Sequence, residues 1–238
     1  MEGSKEFVMN GPGVVASVEL FGVTFNLTTS ILVQWIVMLF LGVMFFTLGK
    51  DLKPKPESKR QILAELVYNF FVGSVKESMG PRYRKYVFYI ATVFCFSFFS
   101  SLSTLFGFRP PTADLSVLAT WGCITFVLVQ RNRLKTGGIK GYLKSFIEPV
   151  APLLPLNIIG ELTNPLSQTF RHFGNIFAGF IIMNIIYWAA GSFALFFPAV
   201  LSLYFDIFSA TIQAFIFATL TMCYVVVAER DEKLPKTE

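Results

Sequence analysis

Long apolar runs separated by short charged segments dominate the pattern of this chain. The first run, Ile31 to Leu48, contains no charged residue and is about as long as a membrane-crossing helix. Tyr86 to Phe106 forms a second such run, and Leu115 to Val129 forms a shorter third one. From Phe146 to Ala228 the chain is again mostly apolar, with scattered polar residues. The pattern predicts an all-α integral membrane protein of several spans.

One segment between the first two runs has the period of an amphipathic helix. Between Arg60 and Met79, apolar residues recur at helical spacing, while most of the charged residues fall elsewhere. The apolar residues are Ile62, Leu63, Leu66, Val67, Phe70 and Phe71. This arrangement predicts a helix that lies on the membrane surface and does not cross it.

The composition excludes an ordinary soluble domain. Of the 238 residues, 54% are hydrophobic and only 15% are charged, and the mean hydropathy is +0.60. The formal net charge of +5 is concentrated in loops, so it does not indicate binding to nucleic acid. No zinc-ligand spacing, nucleophile elbow or phosphate-binding loop is present, so we expect no cofactor.

The positive charges alternate between the predicted connections. Five Lys or Arg residues follow the first span and five follow the third, while the turn after the second span carries one arginine. The positive-inside rule then predicts five crossings, with the amino terminus outside and the carboxyl terminus in the cytoplasm of a bacterial inner membrane. Residues 146–188 are too many for one upright span, so this segment must tilt or break.

These elements predict one membrane domain over residues 1–238. The amino-terminal segment lacks a basic start and a cleavage site, so we expect no cleaved signal peptide. The predicted parts are an external segment (1–29), a first span (30–49), the amphipathic surface helix (57–80), a helical hairpin (86–130), two long helices (142–229) and a cytoplasmic tail (230–238).

The candidate functional residues lie in the two long helices. Arg171 and Asn175 are four residues apart and share a helix face, which Gly174 and Ala178 keep almost free of side chains. A charged residue within a membrane helix indicates a functional site unless it only pairs inside the bundle. Glu161 is one candidate for such an internal partner.

The last long helix carries a second polar face. Asp206 and Gln213 are seven residues apart, so they lie on the same side of that helix. Asp206 is the other candidate partner for Arg171, and a glutamine alone often only bonds to a neighbouring helix. His172 points about 100° away from Arg171, so we expect it to be a packing or interfacial residue and not a proton carrier. A transporter that binds an anion through Arg171 and a structural scaffold both remain open.

Two stretches of the chain resemble a known family. "NPLSQTFRHFGNIFAG", which contains Arg171, and "TIQAFIFATLTMCYV", which contains Gln213, are similar to the two long helices of subunit a of F-type ATP synthases. The resemblance extends in order from about Val18 to Ala228. It implies a non-catalytic stator subunit that contacts the c-subunit ring and the b subunits within the lipid bilayer and carries protons or sodium ions.

The resemblance also implies roles for individual residues. Arg171 matches the arginine that faces the c ring, and Asn175 and Gln213 match polar residues of that interface and its access channel. Asp206 falls where many members have a histidine or an acid. The departure is Phe180, where many bacterial members have a glutamate, and it suggests that the acid has moved to Asp206.

Further matches lie near the two ends of the expected ion path. Arg109 and Asp114 match polar positions at the external turn of the family. Asp206, with Asn175 and Gln213, is expected to line the external half-channel. The route near Glu161 and Asn164 is the expected cytoplasmic half-channel.

Overall fold

The computed structural model describes most of the chain, namely residues 11, 13–20, 22–54, 58–147, 150–190 and 197–230. Most of these residues are helical, which confirms the predicted all-α membrane protein. The first ten residues and the tail after Arg230, for which the sequence predicts an external start and a cytoplasmic end, lie outside the described residues.

The helices follow one another with short connections. They are α1 (Thr29–Gly49), α2 (Lys59–Met79), α3 (Val87–Leu102), α4 (Leu115–Ile147), α5 (Leu154–Ala190), α6 (Phe197–Ser202) and α7 (Ser209–Arg230). A π-helical turn, Leu203–Phe208, joins α6 to α7. Within the described residues, four stretches are long and apolar enough to cross a membrane: Thr29–Gly49, Val87–Phe106, Ala151–Ala189 and Val200–Ala228.

The predicted crossing at 115–129 is not one of these four stretches. Its apolar residues form only the first part of α4, which continues as helix through the cationic segment that we expected to be a loop. Gly138 interrupts the regular helix with a φ of +61°, a backbone conformation that glycine adopts at little cost. The total of five crossings therefore stays a prediction.

Capping residues define where helix α2 begins and ends. The side chain of Ser58 accepts a hydrogen bond from the Gln61 backbone N–H at 3.2 Å, and Gly80 ends the helix with a positive φ. Leu66 and Phe70, from the apolar face predicted for this segment, are more than half exposed in the isolated chain. These exposed apolar groups are typical of a helix that contacts lipid or another subunit.

The described amino-terminal residues form a β-hairpin that the sequence analysis did not predict. Strands β1 (Val14–Leu20) and β2 (Val23–Thr28) pair antiparallel, with Glu19 opposite Thr24. Gly22, in the tight turn, has a φ of +78°. The strict alternation of apolar and polar residues in β2 is the signal that could have revealed the hairpin.

The described chain divides into two compact units. Unit 1 comprises the described residues within 1–47, 95–114 and 173–214, and unit 2 comprises those within 48–94, 115–172 and 215–238. In unit 1, α1 packs on α3 through the rings of Phe40 and Phe99, whose centroids are 5.3 Å apart. Leu39 on the outer side of α1 is 70% exposed in the isolated chain, which is typical of a helix that contacts lipid or another subunit.

Hydrogen bonds between helices stabilise unit 2, in addition to apolar packing. Tyr89 of α3 and Thr125 of α4 share a hydrogen bond of 3.0 Å. Gln168 of α5, which is 1% exposed, donates to the Phe217 carbonyl at 2.9 Å and to the Thr221 hydroxyl at 3.1 Å. These bonds fix α5 against α7, because a buried amide in an apolar environment is costly to leave unpaired.

Gly122 permits the close approach of α4 and α5 in unit 2. An added Cβ at this position would clash with the hydroxyl of Thr169 and would lie 3.5 Å from the Pro165 carbonyl oxygen. We expect Gly122→Ala to destabilise the protein by roughly 1–3 kcal/mol through overpacking. Thermal unfolding of the purified protein in detergent measures this loss.

Two further variants make the measurement specific to this contact. Gly42→Ala in α1 adds the same methyl group where no atom lies within 4 Å, so it is the matched control. Thr169→Ala in the Gly122→Ala background removes the clashing hydroxyl and should recover part of the stability. Equal stability of Gly122→Ala and Gly42→Ala would contradict the predicted overpacking.

Candidate functional site

Arg171 lies on an exposed face of α5. The face consists of small and polar residues at helical spacing, and we call it the α5 strip: Asn164, Ser167, Arg171, Gly174, Asn175 and Ala178, all of them exposed. Arg171 forms no salt bridge with the described residues of unit 2. The strip therefore presents a cation on a surface that another helix can approach closely.

The structure brings two of the predicted site residues together. In unit 1, Asn175 Nδ2 of α5 donates a hydrogen bond to Gln213 Oε1 of α7 at 2.9 Å. Gln213 is 2% exposed, whereas Asn175 lies on the exposed strip. The bond therefore joins a buried amide of α7 to the surface that carries Arg171.

Asp206 lies in the π-helical turn, where an extra residue interrupts the regular helix. It is 8% exposed and lines a cavity of about 170 Å³ in unit 1, together with Thr104, Asn184 and Tyr187 among others. A second space of about 10 Å³, close to the volume that one water needs, adjoins it at Asp206. Asp206 has no hydrogen-bond or ion-pair partner within the described part of unit 1.

Phe180 occupies the position at which the sequence departs from the family pattern. Its ring lines the same two spaces as Asp206, and the Arg109 guanidinium carbon lies 5.6 Å from the ring centroid. Asn184 donates its amide N–H to the Phe180 carbonyl at 2.7 Å. An aromatic face thus stands where a glutamate was expected, and Asp206 is the acidic residue that lines both spaces.

Glu161 has a different environment in unit 2. One of its carboxylate oxygens lies 2.6 Å from an Arg133 nitrogen, and the other accepts a hydrogen bond from Gln130 Nε2 at 2.6 Å. Glu161 also lines a cavity of about 180 Å³ with Asn164 and Tyr224 among others. The internal partner of Glu161 is therefore Arg133 and not Arg171, the alternative that the sequence had left open.

His172 packs in an aromatic cluster of unit 2. It is fully buried, and its ring centroid lies 5.5 Å from that of Phe217 and 6.4 Å from that of Trp121. Edge-to-face contacts of this kind stabilise a core. The environment fits the packing role expected from its direction on α5.

The sequence analysis missed Arg133 and Gln130 as site residues. It counted Arg133 only as one of five cations in a connection, whereas the structure buries it to 7% exposure within α4. A signal was present, because the buried residues of α4 recur at intervals of three or four and Arg133 continues the series. The series is Leu118, Gly122, Thr125, Val129 and Arg133.

The arrangement offers charge and hydrogen bonding. It includes the exposed Arg171 on α5 and, in unit 1, the amide pair of Asn175 and Gln213, and each unit has a cavity lined by one acidic residue. Among the residues that the structure describes, no three His, Cys, Asp or Glu side chains cluster as metal ligands. Charged groups within membrane segments are typical of functional sites.

Comparison with known proteins decides the family. The family profile described as "ATP synthase A chain" matches residues 31–226. The chain belongs to this family. It is 35% identical over 217 residues to the sodium-ion-specific ATP synthase subunit a of Propionigenium modestum, covering 84% of this chain and 74% of the relative.

Other bacterial members of the family are similarly close. Identity to the ATP synthase subunit a of Moorella thermoacetica is 35% over 192 residues, covering 80% of this chain and 86% of the relative. Identity to the ATP synthase subunit a of Albidiferax ferrireducens is 33% over 215 residues, covering 90% and 91%. This member of the family is therefore a multi-pass bacterial membrane protein.

Proposed function

We propose that this chain is the stator subunit a of a rotary ATP synthase, in which Arg171 couples the passage of ions to rotation of the c ring. The observation that carries the proposal is the exposed Arg171 on the α5 strip, next to the Asn175–Gln213 bond, in a chain of the ATP synthase A chain family. A cation on such a surface within the membrane is suited to a partner of opposite charge. A carboxylate of a rotating ring is a suitable partner.

The electrostatics of lipid explain how Arg171 acts. A ring carboxylate must be neutral while it faces lipid, because moving a bare charge through hydrocarbon costs at least several kcal/mol. Opposite Arg171 the ionised form becomes favourable, since a guanidinium stays charged and attracts the carboxylate. Each ring site therefore releases its proton or sodium ion as it approaches Arg171.

The released ion needs two separate routes. We assign the cavity at Asp206 in unit 1 to the external half-channel, with Asn175 and Gln213 beside it, and the cavity at Glu161 and Asn164 in unit 2 to the cytoplasmic one. Arg171 repels cations and so prevents a direct leak between the routes. An ion that enters by one route then leaves by the other only after the ring has turned.

The orientation and the other partners follow from the same proposal. The cations of the α4 segment after Val129 lie on the cytoplasmic side, which places the amino terminus outside. The exposed apolar surfaces of α1 and α2 are available to lipid and to the b subunits of the peripheral stalk. The chain itself catalyses no reaction and acts within the assembled complex.

A bulky residue on the α5 strip tests whether this surface faces the ring. At Gly174 no atom of the chain lies within 4 Å of an added Cβ, so the chain alone should accept Gly174→Trp. We expect the indole to keep the ring from approaching, with loss of ring co-purification or of ATP-driven ion uptake in vesicles. Leu39→Trp, at an exposed position of α1, is the control and should preserve both. Normal uptake with Gly174→Trp would overturn the proposed ring contact.

A further inference from the structure

Glu161 lies at the boundary between two cavities of unit 2. The cavity of about 180 Å³ is lined by Arg133, Asn164 and Tyr224 among others. A second cavity of about 460 Å³ is lined mainly by apolar residues, together with Gln130 and Tyr142. Glu161 lines both cavities and is the acidic residue of each.

The two partners of Glu161 approach it from different sides. Arg133 lines only the smaller cavity and contacts one carboxylate oxygen at 2.6 Å, whereas Gln130 lines only the larger cavity and donates to the other oxygen at 2.6 Å. The Arg133 guanidinium carbon also lies 5.8 Å from the centroid of the Phe146 ring. Both oxygens therefore accept N–H donors, one on each side of the boundary.

A buried acceptor beside the carboxylate points to a further ligand. Gln130 uses its amide N–H for Glu161, and its Oε1 is buried without a hydrogen-bond partner within the described residues. A buried carbonyl oxygen of this kind is costly unless a donor or a cation reaches it. Water, a hydronium ion or a small cation in the larger cavity would satisfy it.

We propose that Arg133 is a positioning residue that holds the Glu161 carboxylate between these two cavities. The contacts of Glu161 with Arg133 and Gln130 are called the latch, which is closed while both contacts are formed. A proton carrier or small cation passing from one cavity to the other must displace Arg133 or Gln130 from the carboxylate. This inference rests on the proposed function, because it assigns the latch to the cytoplasmic half-channel. In the closed latch each carboxylate oxygen accepts one N–H donor, and the ion binds Glu161 only while the latch is open.

Competition explains what Arg133 contributes to transport. The Glu161 side chain is 18% exposed, and without a cation beside it this half-buried carboxylate would bind a passing ion more strongly and release it more slowly. Arg133 competes for the same oxygen, so it weakens the binding of the ion and speeds its release. Its removal should therefore raise the affinity for the ion and lower the maximal rate, a combination that a loss of packing does not produce.

Three single variants and one double variant of the assembled complex test the latch, and ATP-driven ion uptake into vesicles is the measurement. Proton uptake is followed with a fluorescent pH probe and sodium uptake with radioactive sodium, while the ion concentration is varied separately on each side. Glu161→Gln should raise the half-saturating ion concentration on one side roughly tenfold, as expected for the loss of a charged partner. Arg133→Gln should lower both the half-saturating ion concentration and the maximal rate of ion uptake. Glu65→Gln is the control, because Glu65 of α2 also accepts from a glutamine Nε2, at 2.9 Å, outside both cavities.

The double variant Arg133→Gln with Glu161→Gln separates the latch from a purely structural ion pair. It leaves no unpaired charge, so both hypotheses expect thermal stability to return toward that of the wild type. The latch hypothesis expects transport to stay as impaired as in Glu161→Gln. Transport restored together with stability would overturn it, as would unchanged kinetics in Glu161→Gln.

The same vesicles separate this inference from the function on which it rests. If Arg171→Ala pumps normally, the proposed function fails, whatever the latch variants do. If Arg171→Ala does not pump while Glu161→Gln has the kinetics of the wild type, the proposed function stands and the latch alone is wrong.

Discussion

Replacing Arg171 with alanine is expected to abolish ATP-driven ion uptake while the ring still co-purifies with the complex. Without the guanidinium, no positive charge at the α5 strip stabilises the ionised form of a ring carboxylate, so the carboxylate keeps its ion. The barrier to direct passage between the two half-channels is also lost. Uptake into vesicles and passive ion leak of the same vesicles measure the two effects.

A lysine at this position should not restore transport. An ammonium is a compact charge that can lose its proton when it is desolvated, and it lacks the planar fork of the guanidinium. Arg131→Ala is the matched control, because Arg131 is an exposed arginine of α4 outside the α5 strip. Uptake at the level of the wild type with Arg171→Ala would show that Arg171 is a structural cation.

Asp206→Asn is expected to reduce coupled transport about a hundredfold, the lower range for a positioned group that transfers protons. The amide preserves the shape of the side chain but cannot exchange an ion in the cavity of unit 1. The proposed function assigns this role to Asp206, because Phe180 supplies no acid to the same two spaces. The rate of ATP-driven uptake by the assembled complex measures the loss.

A second substitution tests whether the acid can act from the neighbouring position. Phe180→Glu in the Asp206→Asn background returns a carboxylate to the same cavity, so part of the transport should return. The recovery should be incomplete, because Arg109, now over the Phe180 ring, would pair with the new carboxylate. Glu19→Gln in β1, an exposed acid of the same unit, is the control. Transport by Asp206→Asn at the rate of the wild type would remove Asp206 from the ion path.

The helical and membrane character of the protein could be predicted from local sequence alone. Runs such as Ile31 to Leu48 satisfy the length and apolarity that a span requires, whatever they pack against. The period of the segment that became α2 indicated a helix with one apolar face for the same reason. The hairpin of β1 and β2 was not predicted, because its signal is the alternation of apolar and polar residues and not the polarity of the segment.

The pattern of charged residues predicted less of the structure than the pattern of apolar residues did. The cations after Val129 were counted as one cytoplasmic group, and such counting says on which side of the membrane a segment lies. It does not say where each side chain points. The helix of α4 continues past Val129, so Arg133 remains on its buried face while Arg131 is exposed.

The fold class, the family and the candidate residues could be predicted without a structure, because apolar length, helical period and two ordered motifs are local properties. Which polar groups meet depends on the fold. The structure joins Asn175 to Gln213, places Asp206 and Phe180 at one cavity, and pairs Glu161 with Arg133. Those contacts join residues far apart in the chain, and the packing of neighbouring helices selects one partner where charge and spacing allow several.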